Sequence, residues 1–180
     1  MADADAAPTD GDEADEAPSG PEPIHGAPVT VDPRGQVVAH PTPDQLVDVV
    51  RALRDEGFLM CLDVTAVDHL ANAAPRTLPE GMAPERFELV VVLIAHDEPR
   101  RILLKVQVPE ADPVVPSLFE VHPGTEALER EVFDMFGIRF EGHPDLTRIL
   151  MPEDWEGHPL RKDYAVGRIP VQFKGDPAPR

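Results

Sequence analysis

The sequence is poor in cysteine, and Cys61 is its only thiol in 180 residues. A single cysteine excludes an internal disulfide framework and any all-cysteine zinc or iron–sulfur site built from this chain alone. Cys61 lies in an apolar, β-prone stretch, where an inert core thiol is a better interpretation than a nucleophile. We therefore expect the chain to reside in the cytosol, where thiols stay reduced.

Positive charge and long apolar runs are also scarce. The chain has 16 Lys and Arg against 34 Asp and Glu, a formal net charge of −18. This balance excludes nucleic acid as a primary partner and disfavours binding to an anionic membrane surface. The longest continuous apolar run, residues 89–95, is far shorter than the roughly 20 residues that span a bilayer. Residues 1–5 lack the basic and apolar stretches of a secretory signal, so we expect membrane contact only through other subunits.

Several common ligand-binding motifs are missing as well. The sequence has no Gly-x-Gly-x-x-Gly, no P-loop and no Gly-x-Ser-x-Gly. Dinucleotide binding, phosphate binding and serine hydrolysis therefore lack their usual motifs. We assign no catalytic, cofactor-binding or metal-ligating residue to this chain.

The N-terminal residues differ sharply in composition from the rest. Residues 1–33 hold nine acids, no base and six prolines, and they carry half of the net charge. Such a stretch buries too little apolar surface to offset its ordering entropy. We predict a disordered, acidic, Pro/Ala-rich tail over residues 1–41.

Residues 42–160 have the patterning of an α+β domain with a mixed or antiparallel sheet and two main helices. Thr42 and Gln45 form a capping-box pattern that begins an amphipathic helix, and Gly57 ends it. A second helix is predicted from Thr125 to Gly137, after which regular periodicity stops. Strands are predicted over residues 58–67, 87–95 and 101–108, the last two as an antiparallel hairpin at the centre of the sheet.

Two groups of side chains could carry chemistry. Glu131 and Asp134, three residues apart on the second helix, could perform acid–base work or hold a metal ion. The alternative is an ordinary ion pair between Arg130 and Asp134. His143 and His158 each precede a proline, and with nearby carboxylates they could form the site of a small metal-dependent hydrolase.

The C-terminal residues reverse the sign of the charge. Residues 161–180 have five bases and two acids, with apolar residues spaced between glycines and prolines. We predict an extended basic arm that wraps a partner protein, with an edge strand returning to the sheet as the alternative. Trp155 is either an interface anchor or a lid over the core.

A long ordered motif links the second helix to this arm. The run LEREVFDMFGI at residues 128–138 is followed by Gly-His-Pro at 142–144, Arg-Ile-Leu at 148–150 and Asp-Trp at 154–155. Gly-His-Pro-Leu-Arg-Lys-Asp-Tyr then completes it at residues 157–164. This motif resembles the C subunit of NADH-quinone oxidoreductase, in the respiratory complex I family. The resemblance is dense over residues 123–174 and looser over 42–122, and it does not cover the acidic tail.

The resemblance implies a structural, non-catalytic component of the peripheral arm of a proton-translocating NADH:quinone oxidoreductase. Such a protein packs on the D subunit near the quinone module and supports electron transfer from NADH to quinone. It binds no cofactor itself, while FMN, iron–sulfur clusters and quinone belong to partner subunits. Its implied place is the cytoplasmic side of the cell membrane, peripheral, within the complex. Related modules occur in membrane-bound hydrogenases and in dehydrogenases that use other donors, so an equivalent subunit of such a complex stays an alternative.

The resemblance also marks residues expected to contact neighbouring subunits. They comprise charged residues of the second helix, polar residues of the loops that follow, and the beginning of the arm. These predicted partner-binding residues are Glu129, Arg130, Glu131, Asp134, His143, Arg148, Trp155, His158, Arg161, Lys162, Asp163 and Tyr164.

Overall fold

The computed structural model describes residues 21–72 and 75–165, which form an α+β domain with two α-helices, as predicted. One sheet has five strands and a second, smaller sheet has two. The strands are β1 (Val29–Val31), β2 (Val37–Ala39), β3 (Met60–Asp68), β4 (Phe87–Ala95), β5 (Arg100–Val108), β6 (Val114–Pro116) and β7 (Arg139–Glu141). The helices are α1 (Leu46–Asp55) and α2 (Glu126–Phe136).

The five-stranded sheet is mixed and has the order β1-β2-β5-β4-β3. Its only parallel pair joins β2 to β5, while the other neighbours are antiparallel. The predicted hairpin of β4 and β5 is confirmed, with Val91 opposite Leu104 in its register. Alternate residues of this hairpin point to the core face, where both of these side chains are fully buried.

The first helix begins where the capping box predicts. The Thr42 N–H donates to Gln45 Oε1 at 3.1 Å within a 3-10 turn over Pro43–Gln45, and α1 continues from it. Gly57 follows the helix with a φ of 98°, which is easily adopted only by glycine. The apolar stripe of α1 is buried against the sheet and consists of Leu46, Val49, Val50 and Leu53.

The second helix ends at Gly137, as predicted, with a left-handed φ of 75°. A Cβ atom at this position would lie 2.5 Å from His158 Nε2 and 2.7 Å from Arg161 Nη2. Glycine is therefore required for two reasons, the backbone conformation and the close approach of the C-terminal loop.

The predicted boundary of the N-terminal tail is wrong. The tail was expected to extend to residue 41, but β1 and β2 already belong to the large sheet, and residues 1–20 lie outside the described part. The partner of β2 is distant in sequence, since Val38 pairs with Leu103. Three-residue strands of this kind are hidden by the surrounding prolines and acids when composition is averaged along the chain.

The small parallel sheet was also missed. β7 begins two residues after Gly137 and pairs with β6, with Phe140 opposite Val115. Both side chains are buried in the core. The pairing adds ordered structure in the region where the sequence shows no regular periodicity. The strands were missed because three residues are too few to show a period of two.

Over residues 21–72 and 75–165, no helix combines the length and the apolar character needed to cross a membrane.

Candidate functional site

The motif residues after α2 are organised around the buried carboxylate of Asp134. Arg148 Nη1 donates to Asp134 Oδ1 at 2.6 Å. The second oxygen, Oδ2, accepts three consecutive backbone N–H groups, from Ile149 at 3.1 Å, Leu150 at 2.8 Å and Met151 at 2.8 Å. One side chain on the helix therefore fixes four residues of a loop that has no regular secondary structure.

The environment of Asp134 favours its charged form. Burial alone would raise the pKa of this carboxyl, but the N–H groups of Met151 and Leu150 and the guanidinium of Arg148 outweigh burial and lower it. Arg148 also donates from Nη2 to the carbonyl of Gly157 at 3.0 Å. The ion pair thus connects the helix to two separate stretches of loop.

The last turn of α2 receives its hydrogen bonds from the loop that follows. Carbonyls in this turn have no partner within the helix. Four groups of the loop donate to them: His158 Nδ1 to Asp134 O at 2.9 Å, Arg148 Nη1 to the same oxygen at 3.3 Å, the Leu160 N–H to Met135 O at 3.1 Å, and Arg161 Nε to Phe136 O. The second Gly-His-Pro of the motif, with the Leu-Arg that follows it at residues 160–161, is therefore a cap on this helix.

The other end of α2 is fixed by a second buried carboxylate. Glu129 accepts hydrogen bonds from Ser117 Oγ at 2.6 Å, the Leu118 N–H at 2.8 Å and Thr125 Oγ1 at 2.8 Å. Its side chain is fully buried. Glu129 thus holds the connector between β6 and α2 against the start of the helix.

A third network, which sequence reasoning missed, joins the sheet to the C-terminal residues. Arg86 on the approach to β4 bonds to Asp68 at 2.9 Å, to Asp163 at 2.8 Å and to Glu110. Asp68 Oδ2 also accepts the Lys162 N–H at 2.9 Å. Asp68 and Lys162, which bond directly, are 94 positions apart, so no local spacing could have indicated their association.

Asp68 is held in its charged form by this network. Its side chain is completely buried, which by itself would raise the pKa. The bonds from Arg86 and from the N–H groups of Lys162 and Leu70 outweigh burial and lower the pKa to about 2. Residues 161–165 therefore pack on their own domain, and the other residues of the predicted arm, 166–180, lie outside the described part.

The predicted pair of helix carboxylates does not form. Glu131 is exposed while Asp134 is buried, so the two do not share a face. The alternative ion pair is wrong too, because Arg130 bonds to Glu126 at 3.2 Å and to Thr147 Oγ1 at 2.8 Å. The partner of Asp134 comes instead from the following loop, which helical spacing cannot reveal.

The two motif histidines are bonded separately to the backbone. His143 Nε2 donates to Glu126 O at 3.0 Å, and its Nδ1 accepts the Asp145 N–H at 3.0 Å. His158 donates to Asp134 O, and burial lowers its pKa. Within residues 21–72 and 75–165, no three His, Cys, Asp or Glu side chains come together as a possible metal site. The histidine and carboxylate set of the hydrolase alternative is therefore not assembled there.

Two further side chains have simple environments. Burial raises the pKa of the Cys61 thiol to about 12, which fits the interpretation of an unreactive thiol. Trp155 is half-buried, and its indole Nε1 is enclosed without an acceptor among the described residues. This arrangement is compatible with both predicted roles of Trp155, an interface anchor or a lid over the core.

A groove of about 650 Å³ lies away from the motif, between the end of α1 and the start of β5. Its floor includes Leu53, Phe58 and Ile102. Two of its polar side chains are already bonded: His25 to Glu56 at 2.9 Å, and Arg100 to the Glu56 carbonyl at 3.0 Å. The groove therefore offers mainly apolar surface.

The predicted partner-binding residues fall into three groups by exposure. Buried are Glu129 and Asp134. Half-buried are Arg130, His143, Arg148, Trp155, His158, Arg161 and Tyr164. Exposed are Glu131, Lys162 and Asp163. The two buried carboxylates organise the domain from within, and partner contact by the others stays a prediction.

This geometry defines a class of protein: a small α+β domain whose buried charges hold an irregular C-terminal loop rigidly against one helix. The family model for the respiratory-chain NADH dehydrogenase 30 Kd subunit matches residues 39–169. The chain belongs to this family, which is the family of the complex I C subunit.

Curated relatives carry the same name. The NADH-quinone oxidoreductase C subunit of Saccharopolyspora erythraea is 46% identical over 154 residues, covering 84% of this chain and 57% of the relative. The C subunit of Roseiflexus castenholzii is 49% identical over 143 residues, covering 78% and 76% respectively. The chain thus spans little more than half the length of several relatives that it matches.

Two solved structures share the fold. A trypsin-resistant fragment of Nqo5 is 32% identical, with a TM-score of 0.59, covering 67% of this chain and 90% of the fragment. A chain of the membrane-bound sulfane sulfur reductase, an archaeal respiratory membrane complex, has a TM-score of 0.64 at 24% identity, covering 84% of this chain and 87% of that one. The second likeness is one of fold alone.

Proposed function

We propose that this chain is a structural, non-catalytic subunit in the peripheral arm of a proton-translocating NADH:quinone oxidoreductase. It packs on the D subunit near the quinone module and supports the path of electrons from NADH to quinone without carrying electrons itself. The observation that carries this proposal is the family match over residues 39–169.

The chemistry of the motif supports a structural role. Asp134, the one buried member of the proposed acid–base pair, is bonded to groups of its own chain, and so are the other buried carboxylates, Glu129 and Asp68. Buried charges that are fully hydrogen-bonded fix a conformation rather than react. We place FMN, the iron–sulfur clusters and the quinone in the partner subunits, and the chain on the cytoplasmic side of the membrane within the complex.

The described C-terminal residues indicate where the arm begins. Lys162 and Asp163 are tied to the Asp68 and Arg86 network, so the chain is anchored up to Tyr164. The sequence beyond it has three bases and one acid over residues 166–180, with apolar residues between them. We infer that this stretch lies along the D subunit.

Truncation after residue 165 tests the proposal. A tagged full chain, produced with the other members of the complex and captured from detergent-solubilised membranes, is expected to carry the D subunit with it. The truncated chain is expected to capture several-fold less of the D subunit while keeping its own unfolding midpoint, because the anchoring network is retained. Equal capture of the D subunit by both chains contradicts the arm's role, and capture of no other member of the complex by the full chain contradicts the proposed function.

A further inference from the structure

Exposed apolar side chains gather at the C-terminal end of α2. Ile149 is 42% exposed, Leu150 is 55% exposed and Leu160 is 47% exposed. They come from two stretches of loop that bond to adjacent helix residues, since the Leu150 N–H reaches Asp134 Oδ2 at 2.8 Å and the Leu160 N–H reaches Met135 O at 3.1 Å. We call this set of three side chains the α2-end patch.

The α2-end patch is rigid although it lies on loops. Two of its residues, Ile149 and Leu150, donate their N–H groups to one buried carboxylate, and the third caps the last turn of α2. Loop side chains normally lose conformational freedom on binding, which weakens association. Here the backbone is already fixed, so these exposed aliphatic groups are preorganised for contact.

Exposed acidic side chains lie on α2 and on the loop that joins the two stretches of the patch. Glu131 lies one turn before Asp134 on α2, and the loop between the two apolar stretches contributes Glu153, Asp154 and Glu156. All four are exposed, and none forms a salt bridge within the part of the chain that the structure describes. Such a rim favours a partner of positive charge.

We propose that the α2-end patch is a docking surface for a neighbouring subunit of the complex, which presents aliphatic side chains flanked by Lys or Arg. This inference rests on the proposed function and names the surface through which the chain would contact the neighbouring subunit. A second copy of this chain is a poor occupant, because it would bring an acidic rim against an acidic rim. Stable interfaces bury about 800 Å² on each partner, so three side chains form the apolar centre of a larger contact.

Asp134 is a positioning residue in this proposal. It touches no partner, because its side chain is fully buried. Its hydrogen bonds fix the backbone conformation of Ile149 and Leu150 and thereby the direction in which their side chains project. This explains why a charged residue within the motif lies inside the domain.

Leu150→Asp and Leu160→Asp, each in the full chain within the assembled complex, test the surface. Leu62→Asp on β3 is the matched control, since Leu62 is a leucine of similar exposure at 49%. We expect each patch variant to reduce the neighbouring subunits captured at least tenfold, with its own unfolding midpoint unchanged, and the control to capture as much as the unsubstituted chain. Unchanged capture by both patch variants overturns the inference, as does loss confined to Leu62→Asp.

Charge reversal tests the chemistry of the partner. Glu153→Lys combined with Glu156→Lys is expected to lower capture several-fold in low salt, and the difference should shrink at high ionic strength. Stronger capture by this variant shows an acidic partner and overturns the stated occupant. If the unsubstituted chain captures no other member of the complex, the proposed function fails. If it does and all of these variants capture equally well, only the α2-end patch fails.

Discussion

At the scale of single residues, Asp134 carries the largest share of the local order. Its carboxylate bonds to Arg148 and to three backbone N–H groups, none of which lies on its own helix. A buried carboxylate with so many donors is stabilised in its charged form, and each donor is satisfied in return. Helix and loop therefore hold each other in place through one side chain.

Replacing Asp134 with Ala should lower the free energy of unfolding by about 3–5 kcal/mol, because the Arg148 guanidinium and three N–H groups lose their acceptor. Urea denaturation monitored by circular dichroism measures this loss. Glu131→Ala is the matched control on the same helix, and since Glu131 is exposed its effect should stay within about 0.5 kcal/mol. Equal effects of the two substitutions would show that the Asp134 network contributes little.

At the scale of elements, the sequence predicts helices and strands that have a local pattern and misses those that depend on pairing with distant segments. The caps and stripes of α1 and α2 and the apolar alternation of β4 and β5 each lie within a dozen neighbouring residues, and their bounds are predicted to within about four residues. β1, β2, β6 and β7 have three residues each, and the pairs β2–β5 and β6–β7 join segments that are far apart along the chain. Their pairing is decided by packing, which no short pattern records.

The same division applies to the candidate site. The motif contains Asp134 and His158, which the structure places in intrachain hydrogen bonds, but helical spacing assigns the wrong partner to Asp134. The network of Asp68, Arg86 and Asp163 has no sequence pattern, since its members come from a strand end, a loop and the C-terminal residues. Long-range ion pairs of this kind become visible only in the folded chain.

The corrected N-terminal boundary leads to a prediction for β1 and β2. A chain that begins at residue 42 should be less stable than one that begins at residue 21 by at least about 3 kcal/mol, because it loses the buried side chains of Val29 and Val38 and uncovers one edge of β5. Both chains lack residues 1–20, so the comparison isolates the two strands. Thermal or urea unfolding of the two chains measures the difference, and equal midpoints would show that the pair is dispensable.

At the scale of the whole molecule, the net charge of −18 combines two groups of acidic residues with different roles. Half of it lies in residues 1–33, whereas the domain contains carboxylates that are buried, paired and structural. Asp68 and Asp134 have lowered pKa values, so these two carboxylates stay charged well into the acid range. The buried histidines behave in the opposite sense, because their environment favours the neutral ring.

These histidines should make the whole fold sensitive to mild acid. Burial lowers the pKa of His40, His69, His122 and His158 below the usual value of 6.5. A histidine whose pKa is lowered by folding contributes its full stabilisation above about pH 6.5. This contribution is lost as the pH falls through the pKa of the folded state. The carboxylate of Asp68, with a pKa of about 2, loses its contribution only at lower pH, between about 4 and 2.

We therefore expect the free energy of unfolding, measured by urea denaturation, to fall steadily between pH 7.5 and pH 5. Its slope is up to about 1.4 kcal/mol per pH unit for each histidine that titrates, and the urea midpoint falls with it. His122→Gln should reduce this slope, because it removes one buried ring that resists protonation. His96→Gln, the same substitution at an exposed position, is the matched control. A midpoint that stays constant from pH 7.5 to pH 5 would show that the buried rings accept protons as readily in the fold as in the unfolded chain.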